Sequence, residues 1–162
     1  MLLITAVVAS AILIAAVFPV VWTMVSTFSS ASHDTDTRMR TDFKIVTTYA
    51  KAGTAEVSQG DIYLKNIGSY RMSINEIQGS DVFFGDASSF TRVPIGGAHA
   101  TGGWAYEFTH GTYDINSNDI WESGETLHIV AYPGTALTSG QLVYFQLVLP
   151  NGVFRSVEFT VS

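Results

Sequence analysis

The chain begins with one long apolar run and continues into a part where apolar and polar residues alternate. From Met1 to about Ser30 the residues are almost all apolar, and no charged residue or histidine precedes His33. Apolar side chains on every side of a helix are typical of a segment buried in lipid or in a helical bundle. The run exceeds the roughly 20 residues that cross a bilayer. Pro19 removes one helical hydrogen bond, so we expect a local bend or unwinding there.

A polar segment follows the run, and its apolar residues keep a helical spacing. These residues are Met39, Phe43, Val46 and Tyr49 or Ala50. Gly53 is a typical helix stop. We therefore expect one helix over residues 1–52, about 75 Å long at 1.5 Å per residue, and a separate head domain over residues 53–162. Such a helix is much longer than a bilayer requires, which weighs against a plain membrane anchor.

From Gly60 onwards the period of alternation becomes two, which predicts β-strands. The runs are DIYLKNIG, SINEIQ, SDVFFG, SFTRVPI, GWAYEFTH, ETLHIVAY, QLVYFQLVL and GVFRSVEFTVS. Pro150-Asn151-Gly152 lies between the last two and predicts a hairpin, because Asn-Gly tolerates the positive φ of a tight turn. The expected fold class is α+β, with a long N-terminal hydrophobic helix followed by an antiparallel β-sandwich of immunoglobulin-like architecture. A partly closed barrel is the alternative.

The charges are unevenly distributed along the chain. The formal net charge is −6, and after Lys51 only four basic residues stand against eleven carboxylates. An acidic domain argues against nucleic-acid binding, which requires a basic surface. The chain contains no cysteine, which excludes disulfides and thiolate chemistry. Stability must therefore come from packing, with a metal ion as a further contribution.

An acidic turn between two predicted strands has the spacing of a calcium-binding loop. Counted from Asp114, oxygen-bearing side chains fall at positions 1, 3, 5, 9 and 12 of a 12-residue loop, and a backbone carbonyl serves position 7. The expected calcium ligands are Asp114, Asn116, Asn118, Ile120, Glu122 and Glu125. Position 6, a glycine in EF-hands, is Asp119 here, and Asp can adopt the left-handed conformation. The alternative is an acidic surface turn without an ion.

Other candidate sites have weaker support. The histidines show no paired metal spacing and stand beside no obvious nucleophile; they are His33, His99, His110 and His128. Asp114 and Glu125 resemble a hydrolytic carboxylate pair, but no substrate cleft is indicated. The glycine-rich stretch 96–104 lacks the strand–loop–helix context of a phosphate-binding loop. We therefore expect no enzymatic activity.

The apolar run does not match a secretion signal, because no basic residue precedes it and it is too long. Either the run is a single-pass anchor without a basic flank, or a basic leader has been removed before Met1.

Across its full length the chain resembles mature archaellins, the subunits of the archaeal motility filament, and the wider archaeal type IV pilin-like group. The features that carry the resemblance are the apolar run from Leu2, the segment 43–51, the strand 62–68, the acidic loop 114–125 and the closing hairpin 142–162. The family's Gly-Ile-Gly-type start is missing. The resemblance implies a structural subunit of an extracellular filament, with a β-sandwich displayed outward and, in several members, a metal-binding loop.

The same resemblance implies the partners. The chain would polymerise with itself through residues 1–50, sit in the membrane before assembly and depend on the archaellum or pilus assembly machinery. One alternative is a membrane-anchored, stator-type accessory protein, whose family has strands like Lys65–Ser69. A further alternative is an anchored calcium-dependent carbohydrate-binding domain, which would need a groove with exposed aromatic residues near Trp104 and Trp121.

Overall fold

The structure is a computed structural model that describes the backbone from Leu2 and the side chains from Leu3 to the C-terminal Ser162. The chain forms two compact units, Met1–Thr37 and Arg38–Ser162, which are described separately below. The predicted start of the helix at Met1 lies outside the described residues.

The long helix α1 spans Leu2–Arg40. Its 39 residues correspond to about 58 Å. The helix continues through Pro19 without interruption, so the expected unwinding does not occur. Hydroxyl groups donate to carbonyl oxygens of the preceding turn at 2.8–3.0 Å; the donors are Ser10, Thr23, Ser26 and Thr27. These polar groups are therefore satisfied inside the helix, as residues in an apolar environment require.

The remainder of the chain is built mainly from β-strands with one short helix. The strands are β1 (Phe43–Lys51), β2 (Gln59–Asn66), β3 (Met72–Ser73), β4 (Asp81–Asp86), β5 (Ser89–Val93), β6 (Gly103–Glu107), β7 (Ile120–Trp121), β8 (Thr126–Tyr132), β9 (Leu142–Val148) and β10 (Phe154–Thr160). Helix α2 spans Ile74–Gln78, and a single 3-10 turn spans His99–Thr101.

The predicted helix over residues 1–52 was wrong in its last quarter, because α1 ends at Arg40 and residues 43–51 form β1. The β-branched run 45–48 favours a strand, and β1 pairs along its length with β2. A bulge between Ile45 and Thr47 changes the side-chain parity. Phe43 and Ala50, seven residues apart, are therefore both buried. A spacing of seven residues is also close to two turns of a helix, so the sequence pattern of Phe43 and Ala50 resembles that of a helix. The domain boundary at 52/53 was wrong for the same reason.

Two antiparallel four-stranded sheets form a sandwich, as the alternating pattern predicted. Their strand orders are β1-β2-β8-β6 and β10-β9-β4-β5, with β3 and β7 paired separately. The inner faces pack closely: a Cβ atom at Gly60 of β2 would lie 2.6 Å from the ring of Phe84 in β4. The Asn151-Gly152 hairpin is confirmed, with Gly152 at φ +82° between β9 and β10.

The run SINEIQ was predicted as a strand and is mostly helix α2. Ser73 and Glu76 form a capping box: the Ser73 hydroxyl accepts from the Glu76 N–H at 3.4 Å, and the Glu76 carboxylate accepts from the Ser73 N–H at 2.8 Å. This Ser-x-x-Glu pattern marks a helix N-terminus, and the spacing of three residues between Ile74 and Ile77 is also helical.

Candidate functional site

The apolar surface of α1 is the first candidate site. Fifteen large apolar side chains between Leu3 and Phe28 are 50–82% exposed in the single chain. By length and composition, the helix is sufficient to cross a membrane. Small residues are interspersed among the large ones and allow close approach of a second helix; they are Ala6, Ala9, Ala11, Ala15 and Ala16. This surface requires lipid or other protein around it.

The acidic loop is the second candidate site, and Asp114 is at its centre. The Asp114 side chain is fully buried, and its carboxylate accepts from the N–H groups of Asn118 at 3.2 Å and Asp119 at 2.8 Å. Burial raises the pKa of Asp114. The backbone N–H donors, together with the nearby charge of His110, outweigh burial and hold the pKa below its usual range. Asp114 is therefore a buried anion that organises the turn.

Glu125 closes the other end of the loop in a similar way. It is 4% exposed, and its two carboxylate oxygens accept from the N–H groups of Ile115 and Glu122, each at 2.9 Å. The indole N–H of Trp121 donates to the Glu125 carbonyl at 3.0 Å. Asp114 and Glu125, the first and last predicted ligands, thus bind the backbone of the loop between them.

The middle of the predicted ligand set is arranged differently from a calcium cage. The amides of Asn116 and Asn118 donate to the Glu122 carboxylate at 3.0 and 3.3 Å, and Arg71 forms an ion pair with Glu122. The Asn118 side-chain oxygen accepts from the Ile120 N–H at 2.9 Å. The side chains of three predicted ligands, Asn116, Asn118 and Glu122, therefore interact with each other, and Glu122 also interacts with Arg71.

The backbone of the loop is left-handed at two positions, of which Asp119 was expected. Ser117 and Asp119 both have φ of +59°, which non-glycine residues rarely adopt. The left-handed conformation foreseen for Asp119 at position 6 is confirmed. A left-handed residue at position 6 is one feature that a 12-residue calcium loop requires. The amides of Asn116 and Asn118 are engaged with the Glu122 carboxylate.

The structure adds His110 to the loop, which the sequence pattern did not indicate. Its Nε2 lies 2.9 Å from an Asp119 oxygen and 3.4 Å from an Asp114 oxygen. These three residues present ligand atoms within 4.8 Å of one another and are able to hold a metal ion. The hydrogen bond to Asp119 raises the pKa of His110. The turn of the chain brings His110, Asp114 and Asp119 together, and no spacing motif in the sequence indicates this cluster.

The exposed aromatic groove required by the carbohydrate-binding alternative is not formed near the two tryptophans. Trp104 and Trp121 are 1% and 2% exposed and belong to the core. Both tryptophans are packing residues, so the carbohydrate-binding alternative has no support from an exposed aromatic groove at this place.

Comparison with known proteins connects these features to one family. The family model of archaeal-type flagellin matches residues 1–159. The chain belongs to the archaeal-type flagellin family. The resemblance stated from the sequence is thereby confirmed. This is an archaellum-related family of structural proteins, and the chain is not an enzyme.

A relative of this chain is an uncharacterized protein of Archaeoglobus fulgidus. It is 29% identical over 165 residues, covering 98% of this chain and 93% of the relative. The similarity therefore includes both the apolar helix and the β head.

Solved structures show the same fold. The archaellum periplasmic stator protein FlaG from Sulfolobus acidocaldarius has a TM-score of 0.55 at 24% identity, covering 74% of this chain and 99% of FlaG. The archaeal flagellum of Methanospirillum hungatei has a TM-score of 0.56 at 14% identity, covering 98% of this chain and 91% of that protein. Filament and stator proteins therefore share this architecture.

Proposed function

We propose that this chain is the structural subunit of an archaellum-like extracellular filament and polymerises through α1. The observation that carries the proposal is the continuous apolar surface of α1, exposed all round between Leu3 and Phe28, in a chain that matches archaeal-type flagellin over residues 1–159. The similarity to the Methanospirillum filament protein along 98% of the chain supports it.

The physical basis of polymerisation is that α1 exchanges contacts with lipid for contacts with other helices. Before assembly the helix lies in the membrane, and assembly replaces lipid contacts by contacts with other copies of α1. Once the filament is outside the membrane, each Å² of apolar area kept from water contributes about 25 cal/mol. Contacts between copies are heterologous, so they propagate as a helix and do not close. The assembly machinery, rather than this subunit, supplies the energy.

The test is electron microscopy of material sheared from the cell surface, with mass spectrometry of its subunits. We expect filaments that contain this chain. Replacing both Ala9 and Ala16 by Leu should abolish filaments, because bulky side chains prevent close approach of helices. Replacing Ile12 by Leu conserves volume and should leave filaments intact. Filaments that lack the wild-type chain would overturn the proposal.

A membrane-anchored, stator-type accessory protein is the second candidate. The observation that favours it is the higher identity to the stator protein FlaG, 24%, than to the Methanospirillum filament protein, 14%. In this case α1 stays in lipid, and the head binds a component of the cell envelope.

Site-specific cross-linking distinguishes the two candidates. The chain has no cysteine, so variants with two cysteines in α1, at Ala9 and Ala16 or at Ala9 and Val20, can link one copy to two others and report only the contacts of α1. A filament subunit should give extended ladders of cross-linked copies in sheared material. An accessory protein should remain in the membrane fraction without ladders, and that outcome would replace the filament proposal.

We also propose that the acidic loop binds calcium. Buried Asp114 and Glu125, together with the left-handed turns at Ser117 and Asp119, support it. Binding requires Asn116, Asn118 and Glu122 to turn their oxygens to the ion and Glu122 to leave Arg71.

Thermal unfolding with 2 mM calcium and with excess chelator tests this proposal. We expect a higher midpoint with calcium for the wild type, and no difference for Glu122→Gln. Equal midpoints for the wild type under both conditions would show that hydrogen bonds close the loop without an ion.

A further inference from the structure

His128 lies on the outer face of the sheet β1-β2-β8-β6, between two carboxylates on the neighbouring strands. In β8, Leu127 and Ile129 face the core, so His128 faces outward. Its cross-strand partners in the sheet register are Tyr63 of β2 and Glu107 of β6. The residue is nevertheless only 7% exposed, because the neighbouring side chains cover the ring.

Both ring nitrogens of His128 face carboxylate oxygens. Nδ1 lies 3.0 Å from an oxygen of Glu107, and Nε2 lies 3.0 Å from an oxygen of Asp61. A carboxylate only accepts hydrogen bonds, and a neutral imidazole donates from one nitrogen only. The imidazolium ion alone can donate to both partners. A neutral ring would place a nitrogen lone pair against an anionic oxygen in a site that is nearly closed to water.

The surrounding groups fit a cation at this position. The ring of Tyr63 stacks on His128 with centroids 4.3 Å apart and an interplanar angle of 3°, and Tyr113 packs at 6.0 Å. In the described part of the chain, the titratable groups that face His128 are Asp61 and Tyr63 on β2, Glu107 on β6 and Tyr113 on the adjoining loop. The hydrogen bond from His128, with a second from Thr109, holds the pKa of Glu107 below its usual range.

The carboxylates of Asp61 and Glu107 also accept hydrogen bonds on the oxygen that does not face His128. The Gln59 amide donates to the second oxygen of Asp61 at 3.0 Å, and the Thr109 hydroxyl donates to the second oxygen of Glu107 at 3.2 Å. Each carboxylate is therefore held in place to receive a proton from the ring. With both nitrogens engaged in this way, His128 has none left to act as a general base.

We propose that His128 is a proton-dependent clamp that links side chains of β2, β8 and β6 while its ring is charged and gives up one of its two carboxylate partners when the ring loses its proton. Loss of the ring proton leaves one carboxylate oxygen without a donor, so the contribution of the clamp to stability depends on the charged ring. Tyr113, which packs on His128 and directly precedes Asp114, connects the clamp to the acidic loop. The clamp lies within the head, so it does not depend on whether α1 forms filaments.

The test compares thermal unfolding of the full chain in detergent micelles from about pH 5 to about pH 9, the range in which histidine titrates. We expect the wild-type midpoint to fall by about 3 °C or more across this range. His128→Gln should lower the midpoint at pH 5 and make the fall smaller, leaving the part that comes from His110. His33→Gln, at an exposed position on α1, is the control and should keep the wild-type fall.

Glu107→Gln tests the proposal more directly than His128→Gln, because it keeps the ring and changes only its hydrogen-bond partner. A Gln amide donates to an unprotonated Nδ1, so a neutral ring satisfies both neighbours. The fall in midpoint should therefore become smaller than in the wild type, without loss of stability at pH 9. NMR spectroscopy of ¹⁵N-histidine should show both His128 nitrogens protonated at pH 6. A neutral ring at pH 6, or an unchanged fall in either His128→Gln or Glu107→Gln, would overturn the proposal.

Discussion

At the scale of single residues, buried or half-buried carboxylates organise the head through hydrogen bonds with nearby N–H and O–H donors. Asp114 and Glu125 hold the acidic loop, and Glu76 holds the start of α2. Each carboxylate accepts at least two hydrogen bonds, so burial does not leave a charge unsatisfied. In a head with eleven carboxylates after Lys51, several acidic residues therefore stabilise the fold through their hydrogen bonds.

Glu76 makes a pH-dependent contribution to stability. Burial raises its pKa, but hydrogen bonds from the Ser73 N–H, the Tyr70 hydroxyl and the Ser73 hydroxyl outweigh burial, and the pKa lies below its usual range. Because the folded-state pKa is lowered, the stability is present above the ordinary value of about 4.3 and is lost as the pH falls through the folded-state value.

We expect Glu76→Gln to lower the free energy of unfolding by about 1 kcal/mol at pH 7 and to weaken the loss of stability between about pH 5 and pH 3. Urea unfolding at several pH values measures both effects. Asn75→Gln, on the exposed side of α2, is the matched control and should behave like the wild type. Identical acid sensitivity in Glu76→Gln and the wild type would contradict this role.

At the scale of elements, the two sheets are close because small residues meet large ones across the core. Gly60 lies opposite Ala50 and Ala131 in the register of the first sheet, and the Phe84 ring of the second sheet occupies the space above Gly60. These small residues of β1, β2 and β8 leave room for the aromatic ring. The alternation of apolar residues predicts which face is buried, and residue size determines how closely the sheets approach.

Gly60→Ala should therefore destabilise the head by about 1–3 kcal/mol through overpacking, since the added Cβ would lie 2.6 Å from the Phe84 ring. Chemical denaturation gives the change in unfolding free energy. Phe84→Leu, combined with Gly60→Ala, should cost less than the sum of the two single variants because the smaller side chain removes the clash. Additive costs would show that the ring is not the obstacle.

At the scale of the whole molecule, the chain combines a helix whose apolar side chains are exposed with a head that has its own buried core. The unit Arg38–Ser162 contains the residues of the buried core cluster, and the fifteen exposed large apolar side chains of α1 from Leu3 to Phe28 lie in Met1–Thr37. The core of the head and the apolar surface of α1 therefore belong to separate parts of the chain.

A chain truncated to Arg38–Ser162 should be folded, monomeric and soluble, with a thermal midpoint within a few degrees of the full chain. Circular dichroism and size-exclusion chromatography measure these properties. It should not bind lipid vesicles or enter filaments, because it lacks the apolar surface of α1. If the truncated chain were unfolded, the head would depend on α1 for its stability.

The sequence by itself determined what depends on local patterns. The apolar run predicts most of α1, alternation predicts β2, β4, β5, β6, β8, β9 and β10, and Asn151-Gly152 predicts the hairpin. The order of these features identified the family. The loop from Asp114 to Glu125 was located by spacing, and calcium binding there stays a prediction.

The tertiary structure alone decided features that depend on contacts between distant residues. Residues 43–51 became a strand because β2 was available to pair with them and a bulge brought Phe43 and Ala50 to the same face. His110 reached Asp119 through a turn. Asp61 and His128, 67 positions apart, met because β2 and β8 are neighbours in the sheet. Periodicity reports the environment along one element, whereas strand order and register determine which side chains meet across elements.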